Sequence, residues 1–134
     1  MLDSTAAVAA ERQGKNARQL LEAVALETGD EGIAISVVTV LELAHGITRA
    51  HTSEHRDRRR RFLDELLNGV PVQPVTVAIA LRAGQIDGES QARGVRIPLS
   101  DLLIGATALE LGYGVGTANV RHFQLVPGLP VVRL

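Results

Sequence analysis

Three acidic residues of this 134-residue chain stand in surroundings that ordinarily exclude charge. Asp3 directly follows Met1-Leu2, the end of an expected buried strand. Glu42 lies within Val37-Val38-Thr39-Val40-Leu41-Glu42-Leu43-Ala44, a run otherwise free of charge. Asp101 opens Leu102-Leu103-Ile104-Gly105-Ala106-Thr107-Ala108-Leu109, apolar on nearly every side and so expected to be buried. Burying a carboxylate costs roughly several kcal/mol unless it is paired, hydrogen-bonded or bound to a metal. A fourth oxygen-rich spot follows in Gly116-Thr117-Ala118-Asn119. Carboxylates with a hydroxyl and an amide suit a hard cation such as Mg²⁺ or Mn²⁺. Such ions serve phosphoryl chemistry, activating water and neutralising charge in the transition state.

Each residue also has an ordinary structural reading. Asp3 can cap a helix, Asp101 can do the same beside Ser100, and Glu42 can pair with His45 or Arg49. Shared placement favours the chemical reading. Each acid falls just after a strand or within the first two turns of the next helix. In an open α/β sheet, ligands bind beyond the carboxyl ends of the strands, where such positions converge. Spacing alone does not bring the four segments together.

The elements that would position them alternate short β-like runs with longer helical ones, the pattern of an α/β fold with a mainly parallel sheet. A short helix is expected after Asp3-Ser4-Thr5, and a second over Asn16 to Thr28, stopped by Gly29-Asp30. Ile33-Ala34-Ile35 reads as a buried strand, and Ser36 as the cap of a helix over Val37 to Ala50. His55 to Leu67 reads as a helix with Arg59, Phe62, Leu63, Leu66 and Leu67 on its inner face, ended by Asn68-Gly69. Val72 to Val75, flanked by prolines, reads as an edge strand or loop. Thr76 would cap a helix to Arg93, in which Gly84 and Gly88 would let another element approach closely. Ser100 would precede a helix over Asp101 to Leu111 closed by Gly112, followed by strands at Tyr113 to Thr117 and Pro130 to Val132.

Composition narrows the field. The chain is 46% hydrophobic and 22% charged, as in ordinary globular domains, and its length suits one domain over 1–134. Having no cysteine, it excludes disulfides, thiolate zinc sites and a cysteine nucleophile. No signal-peptide pattern opens it and no run approaches a membrane span, so a cytoplasmic protein without a membrane partner is expected. A net charge of −1 gives no global case for nucleic acid. The local exception is Arg49 to Arg61, with six arginines and two histidines against Glu54 and Asp57.

On these residues the chain resembles the PIN-domain family, and within it the VapC-type toxins. Leu2-Asp3-Ser4-Thr5 resembles the opening motif of that family. Ile35 to Gly46 resembles the second acidic motif, and Ile97-Pro98-Leu99-Ser100-Asp101 to Ala108 the third. Thr117 to Phe123, with Pro127-Gly128-Leu129, resembles the closing segment. The resemblance implies a three-layer fold around a parallel sheet and endonucleolytic cleavage of RNA. It implies Asp3, Glu42 and Asp101 as catalytic metal ligands, directly or through water, for Mg²⁺ or Mn²⁺. Ser4 and Thr5 would hydrogen-bond the carboxylates. Thr117 and Asn119 fall at the fourth site, where many relatives carry an aspartate and Asn119 supplies no charge. A VapB-type antitoxin covering the pocket and a homodimer are also implied. Excess negative charge in the pocket would raise the carboxylate pKa values.

Other residues are weighed against plainer roles. Arg56, Arg59 and Arg60 are candidates for RNA contact, against a solvated helix face, because consecutive arginines point all round a helix. His122 and Phe123 read as packing and loop-fixing residues, and His45 receives no role. A catalytically degenerate PIN domain that binds RNA or a partner without cutting is the main rival, favoured by Asn119. A phospho-accepting receiver domain lacks its lysine, since Lys15 is the only one and lies far from the last strand. Gly112-x-Gly114-x-Gly116 runs from helix to strand, the reverse of a phosphate-cradling loop.

Overall fold

In the computed structural model, which describes residues 1–29 and 31–134, the elements alternate much as the sequence pattern requires. Asp30, part of the expected stop after the second helix, lies outside the described residues. The order is α1 (Ser4–Arg12), α2 (Ala17–Thr28), β1 (Ile35–Ser36), α3 (Val37–Thr48), α4 (Ser53–Gly69), β2 (Val72–Gln73), α5 (Val77–Ala92), α6 (Leu99–Leu111), β3 (Val115–Thr117), α7 (Val120–Phe123) and β4 (Val131–Arg133).

The sheet is parallel throughout. β1 pairs with β2 through Ile35↔Val72, and β3 with β4 through Val115↔Val131. Leu2 joins the two pairs, bridging in parallel to Ile35 on one side and Gly116 on the other. The first strand is thus reduced to a single bridging position at the centre of the sheet.

Alternation along these strands fills two opposed layers, as a period of two demands. Leu2 and Ile35 pack with Ala6, Ala10, Leu20, Phe62 and Leu66 of α1, α2 and α4. Their neighbours Met1 and Ala34 pack the other way, with Val115, Phe123 and with Ile104 and Ala108 of α6. α5 then closes on α6 through Ile79, Ala83, Leu102 and Ala106. The expected three-layer α/β architecture is present.

Most helix starts follow their sequence signals. Asn16 and Gln19 form a capping box on α2, Ser36 accepts from the Val38 amide, and Thr76 caps α5. Gly112 ends α6 in the left-handed conformation at φ 78°.

Several expectations need correction. α6 begins at Leu99 behind Pro98, with no side-chain cap, so Ser100 and Asp101 lie inside its first turn. Asn68-Gly69 does not end α4 early, because the helix runs through Gly69. Leu67 is 39% exposed and not on the inner face. A Cβ at Gly84 or Gly88 would meet nothing within 4 Å, so no element among the described residues uses their small size. Glycines whose small size is used include Gly69 and Gly105 and two of the Gly112-x-Gly114-x-Gly116 segment. A Cβ on Gly116 would stand 2.7 Å from Leu134 Cδ1, and one on Gly114 3.1 Å from the Pro130 carbonyl.

Candidate active site

Asp3, the residue after the central bridge, is 2% exposed and turns its carboxylate back over α1. Its Oδ1 accepts from the Ala6 amide at 3.2 Å, which caps the helix. The capping reading is therefore correct, and it leaves capacity on the carboxylate for more. The Thr5 hydroxyl stands 2.9 Å from both oxygens, and the Thr117 hydroxyl, from β3, donates to Oδ2 at 2.9 Å. Thr5 and Thr117 also touch each other at 3.1 Å.

Glu42 comes from the second turn of α3, which β1 aims from the neighbouring sheet position. Its alternative partners, His45 and Arg49, do not hold it. Ser4 of α1 donates to its Oε1 at 3.1 Å instead. Ser100, directly before Asp101, stands near enough to lower the Glu42 carboxyl, a role the sequence reading missed.

Asp101 lies in the first turn of α6, with its side chain 14% exposed. Its Oδ2 is 2.7 Å from Nδ1 of His122. Asn119 does not reach the carboxylates. Its amide Nδ2 lies 2.9 Å from that same Nδ1, and its backbone N–H donates to the Thr117 hydroxyl at 2.8 Å. His122 thus belongs to the site, contrary to the expectation that it only fixes a loop. Phe123 does pack, fully buried.

The electrostatics follow from this placement. Burial is the chief cause that raises the Asp3 carboxyl above the ordinary aspartate range, with Asp101 adding to it and the Thr5, Thr117 and Ala6 hydrogen bonds opposing it. Glu42 is raised the same way, first by burial and then by Asp101 and Asp3, against hydrogen bonds from Ser4 and Ser100. The upward direction agrees with the sequence expectation. Its leading cause is desolvation, with mutual repulsion a smaller contribution.

No lysine or arginine forms an ion pair with Asp3, Glu42 or Asp101 among the described residues, and His122 is the one basic contact. Oxygen donors without a cationic partner fit a hard divalent ion. No group of three acids and histidines stands preassembled as a ligand set among the described residues, because each carboxylate is held by its own hydroxyl or ring partner. Loading an ion would exchange those partners.

Beside Glu42 a groove of about 440 Å³ opens between α1, α3 and α4. Ala7, Val8, Leu43, Phe62 and Leu63 form its apolar part, and Arg12, Arg49, His51 and Arg59 its basic part. Of the three arginines singled out from sequence, only Arg59 lines it. Arg59 and Arg56 donate to the carbonyls of Gly46 and Ala50 at 2.6 and 3.1 Å, while Arg60 is exposed.

The family model for the PIN domain matches residues 1–127. The chain belongs to the PIN-domain family. Among curated relatives, this PIN domain is 38% identical over 96 residues to the ribonuclease VapC10 of Mycobacterium tuberculosis. The match covers 72% of this chain and 66% of that protein, a little under two thirds of its length. It is 26% identical over 99 residues to the tRNA(fMet)-specific endonuclease VapC of Salmonella typhimurium, covering 74% of this chain and 73% of that one. Among solved structures, the VapBC2 complex of Rickettsia felis bound to a promoter DNA fragment superposes with a TM-score of 0.84 at 22% identity. That likeness covers 100% of this chain and 97% of that chain, and it establishes the fold. No helix among the described residues is long and apolar enough to cross a membrane.

Proposed function

We propose that this PIN domain, acting as one unit over 1–134, is a divalent-metal-dependent endoribonuclease, the toxin of a VapBC-type toxin–antitoxin module. The observation that carries the reading is that Asp3, Glu42 and Asp101, from three separate elements, lie near enough for the Asp101 charge to act on both other carboxyls, with no lysine or arginine ion-paired to any of them among the described residues. Asp3, Glu42 and Asp101 would hold Mg²⁺ or Mn²⁺. When bound, such an ion supplies an activated water and neutralises charge on the phosphodiester. Ser4, Thr5 and Thr117 orient the carboxylates through the hydrogen bonds they already make.

A VapB-type antitoxin segment would fill the apolar groove beside Glu42, with a basic side chain reaching the acids. A second copy of the chain would cover the outer face of α5 and the start of α6, where Val77, Leu81 and Leu99 are 70% exposed or more. The protein would work in the cytoplasm. Titrating the toxin with its cognate antitoxin checks the first, and sedimentation the second.

A non-cutting scaffold is the second reading. It is favoured by the commitment of Asn119 to His122 and by the absence of a preassembled ligand set among the described residues. One experiment separates the two. Purified protein is given a labelled RNA pool with Mg²⁺ or Mn²⁺, against EDTA and Asp101→Asn. Cutting that needs both ion and carboxylate supports the nuclease. Equal behaviour of wild type and variant, with no Mn²⁺ bound, supports the scaffold.

A further inference from the structure

The fourth site holds Asn119, an amide without charge, and the loop that carries it reaches from one aspartate to the other. We propose that His122 is the positioning residue of Asp101 and that Asn119 steadies it, so that a hydrogen-bonded strut through residues 117–122 fixes how the two aspartates stand. The inference rests on the metal-dependent reading above and deepens it.

The strut is continuous. Thr117 donates to Oδ2 of Asp3 at 2.9 Å, and the Asn119 backbone N–H donates to the Thr117 hydroxyl at 2.8 Å. The Asn119 side-chain amide meets Nδ1 of His122 at 2.9 Å, and that nitrogen lies 2.7 Å from Oδ2 of Asp101. One nitrogen cannot both accept from the amide and donate to the carboxylate. Ionised Asp101 only accepts, so Nδ1 carries a hydrogen and donates it. The amide then turns its oxygen to the ring, an exchange of O and N that leaves its shape unchanged. A contact this short to a carboxylate is of the stronger, charge-assisted kind.

The ring holds only one of the two oxygens. Oδ1 of Asp101 accepts no hydrogen bond among the described residues and is not sealed from solvent. At Asp101, therefore, an ion need not displace the ring. The base of the strut is firm as well. Phe123, next to His122, is fully buried in one cluster with Ile104 of α6, the helix that carries Asp101.

The test uses the full chain, Mn²⁺ as the probe and the variants His122→Leu, His122→Asn and Asn119→Ala, each checked for folding by circular dichroism. Electron paramagnetic resonance of free Mn²⁺ gives the Kd, and cleavage of a labelled RNA gives kcat and KM. His122→Leu removes the donor and should raise the Mn²⁺ Kd about 10–100-fold, the range for losing a partner that orients a ligand. At limiting Mn²⁺ its kcat should fall as well, while KM for RNA stays as in wild type. His122→Asn places an amide nitrogen where Nδ1 stood, at the same number of bonds from the backbone, and should recover most of the loss. Asn119→Ala should weaken Mn²⁺ binding in the same direction, by less. Wild-type affinity in folded His122→Leu, or an equal loss in His122→Leu and His122→Asn, would overturn the inference and leave the nuclease reading standing. Should His122→Leu fail to fold, unchanged Mn²⁺ affinity in Asn119→Ala would overturn it instead. A wild type that neither binds Mn²⁺ nor cuts would sink the metal-dependent reading, and this role with it.

Discussion

The Thr117 hydroxyl donates to Oδ2 of Asp3 at 2.9 Å across 114 positions of sequence, tying β3 to the residue after the central bridge. A hydrogen bond to a buried charged group is worth about 1.5–3 kcal/mol. Thr117→Val keeps the volume and removes that bond, and it should lower unfolding free energy by about that amount at neutral pH. The bond favours the charged carboxylate, so the loss should shrink as acid protonates Asp3. Urea unfolding at neutral and mildly acid pH measures both.

Burial raises the carboxyls of Asp3 and Glu42 above their unfolded values. Such a group holds its proton longer when folded. Its contribution is fully present below the unfolded pKa and is lost as pH rises through the folded pKa. Metal-free Asp3→Asn should therefore melt higher than wild type at neutral pH, with the gap closing in mild acid. Taking the difference between the two proteins cancels groups they share. Saturating Mn²⁺ should reverse the order at neutral pH, stabilising wild type by about 2.7 kcal/mol at a hundredfold excess over its Kd. Calorimetry with and without the ion decides it.

Gly116 sits between Leu2 and Leu134, with no room for a side chain. Gly116→Ala should cost about 1–3 kcal/mol through overpacking at the centre of the sheet. Trimming the neighbour in Gly116→Ala with Leu134→Ala should recover part of that loss, because the nearest obstacle is the tip of Leu134 at 2.7 Å. A double-mutant cycle by chemical denaturation reads the coupling, and strict additivity would contradict it.

Arg12, Arg49 and Arg59 line the groove that leads to Glu42, whereas Arg18 is paired with Glu22 on the surface of α2. If RNA follows the groove, Arg49→Ala should weaken binding of a labelled RNA and reduce its salt dependence by about one unit of slope. Arg18→Ala should do neither. Filter binding over a range of salt concentrations, in EDTA to prevent cutting, gives both slopes.

Much of this site was legible in the residues. Asp3, Glu42 and Asp101 stood out because charge in an apolar run needs a reason, and Ser36, Thr76 and Gly112 marked helix ends through local hydrogen bonding and backbone preference. Those signals survive in a linear string because they act over a few residues. The convergence of Leu2, Ser36, Thr117 and the first turn of α6 was not legible. It arises from the parallel bridges of Leu2 to Ile35 and Gly116, contacts between segments more than thirty residues apart. The roles of His122 and Ser100 were hidden for the same reason. A histidine in a short turn and a serine before an aspartate carry no distinctive local pattern, and only the docking of α6 and α7 brings them to the carboxylates. Sequence determined which groups could do the chemistry, since composition and periodicity fix burial. Tertiary structure decided which of them meet, since hydrogen bonds of 2.7–3.1 Å depend on how the layers dock.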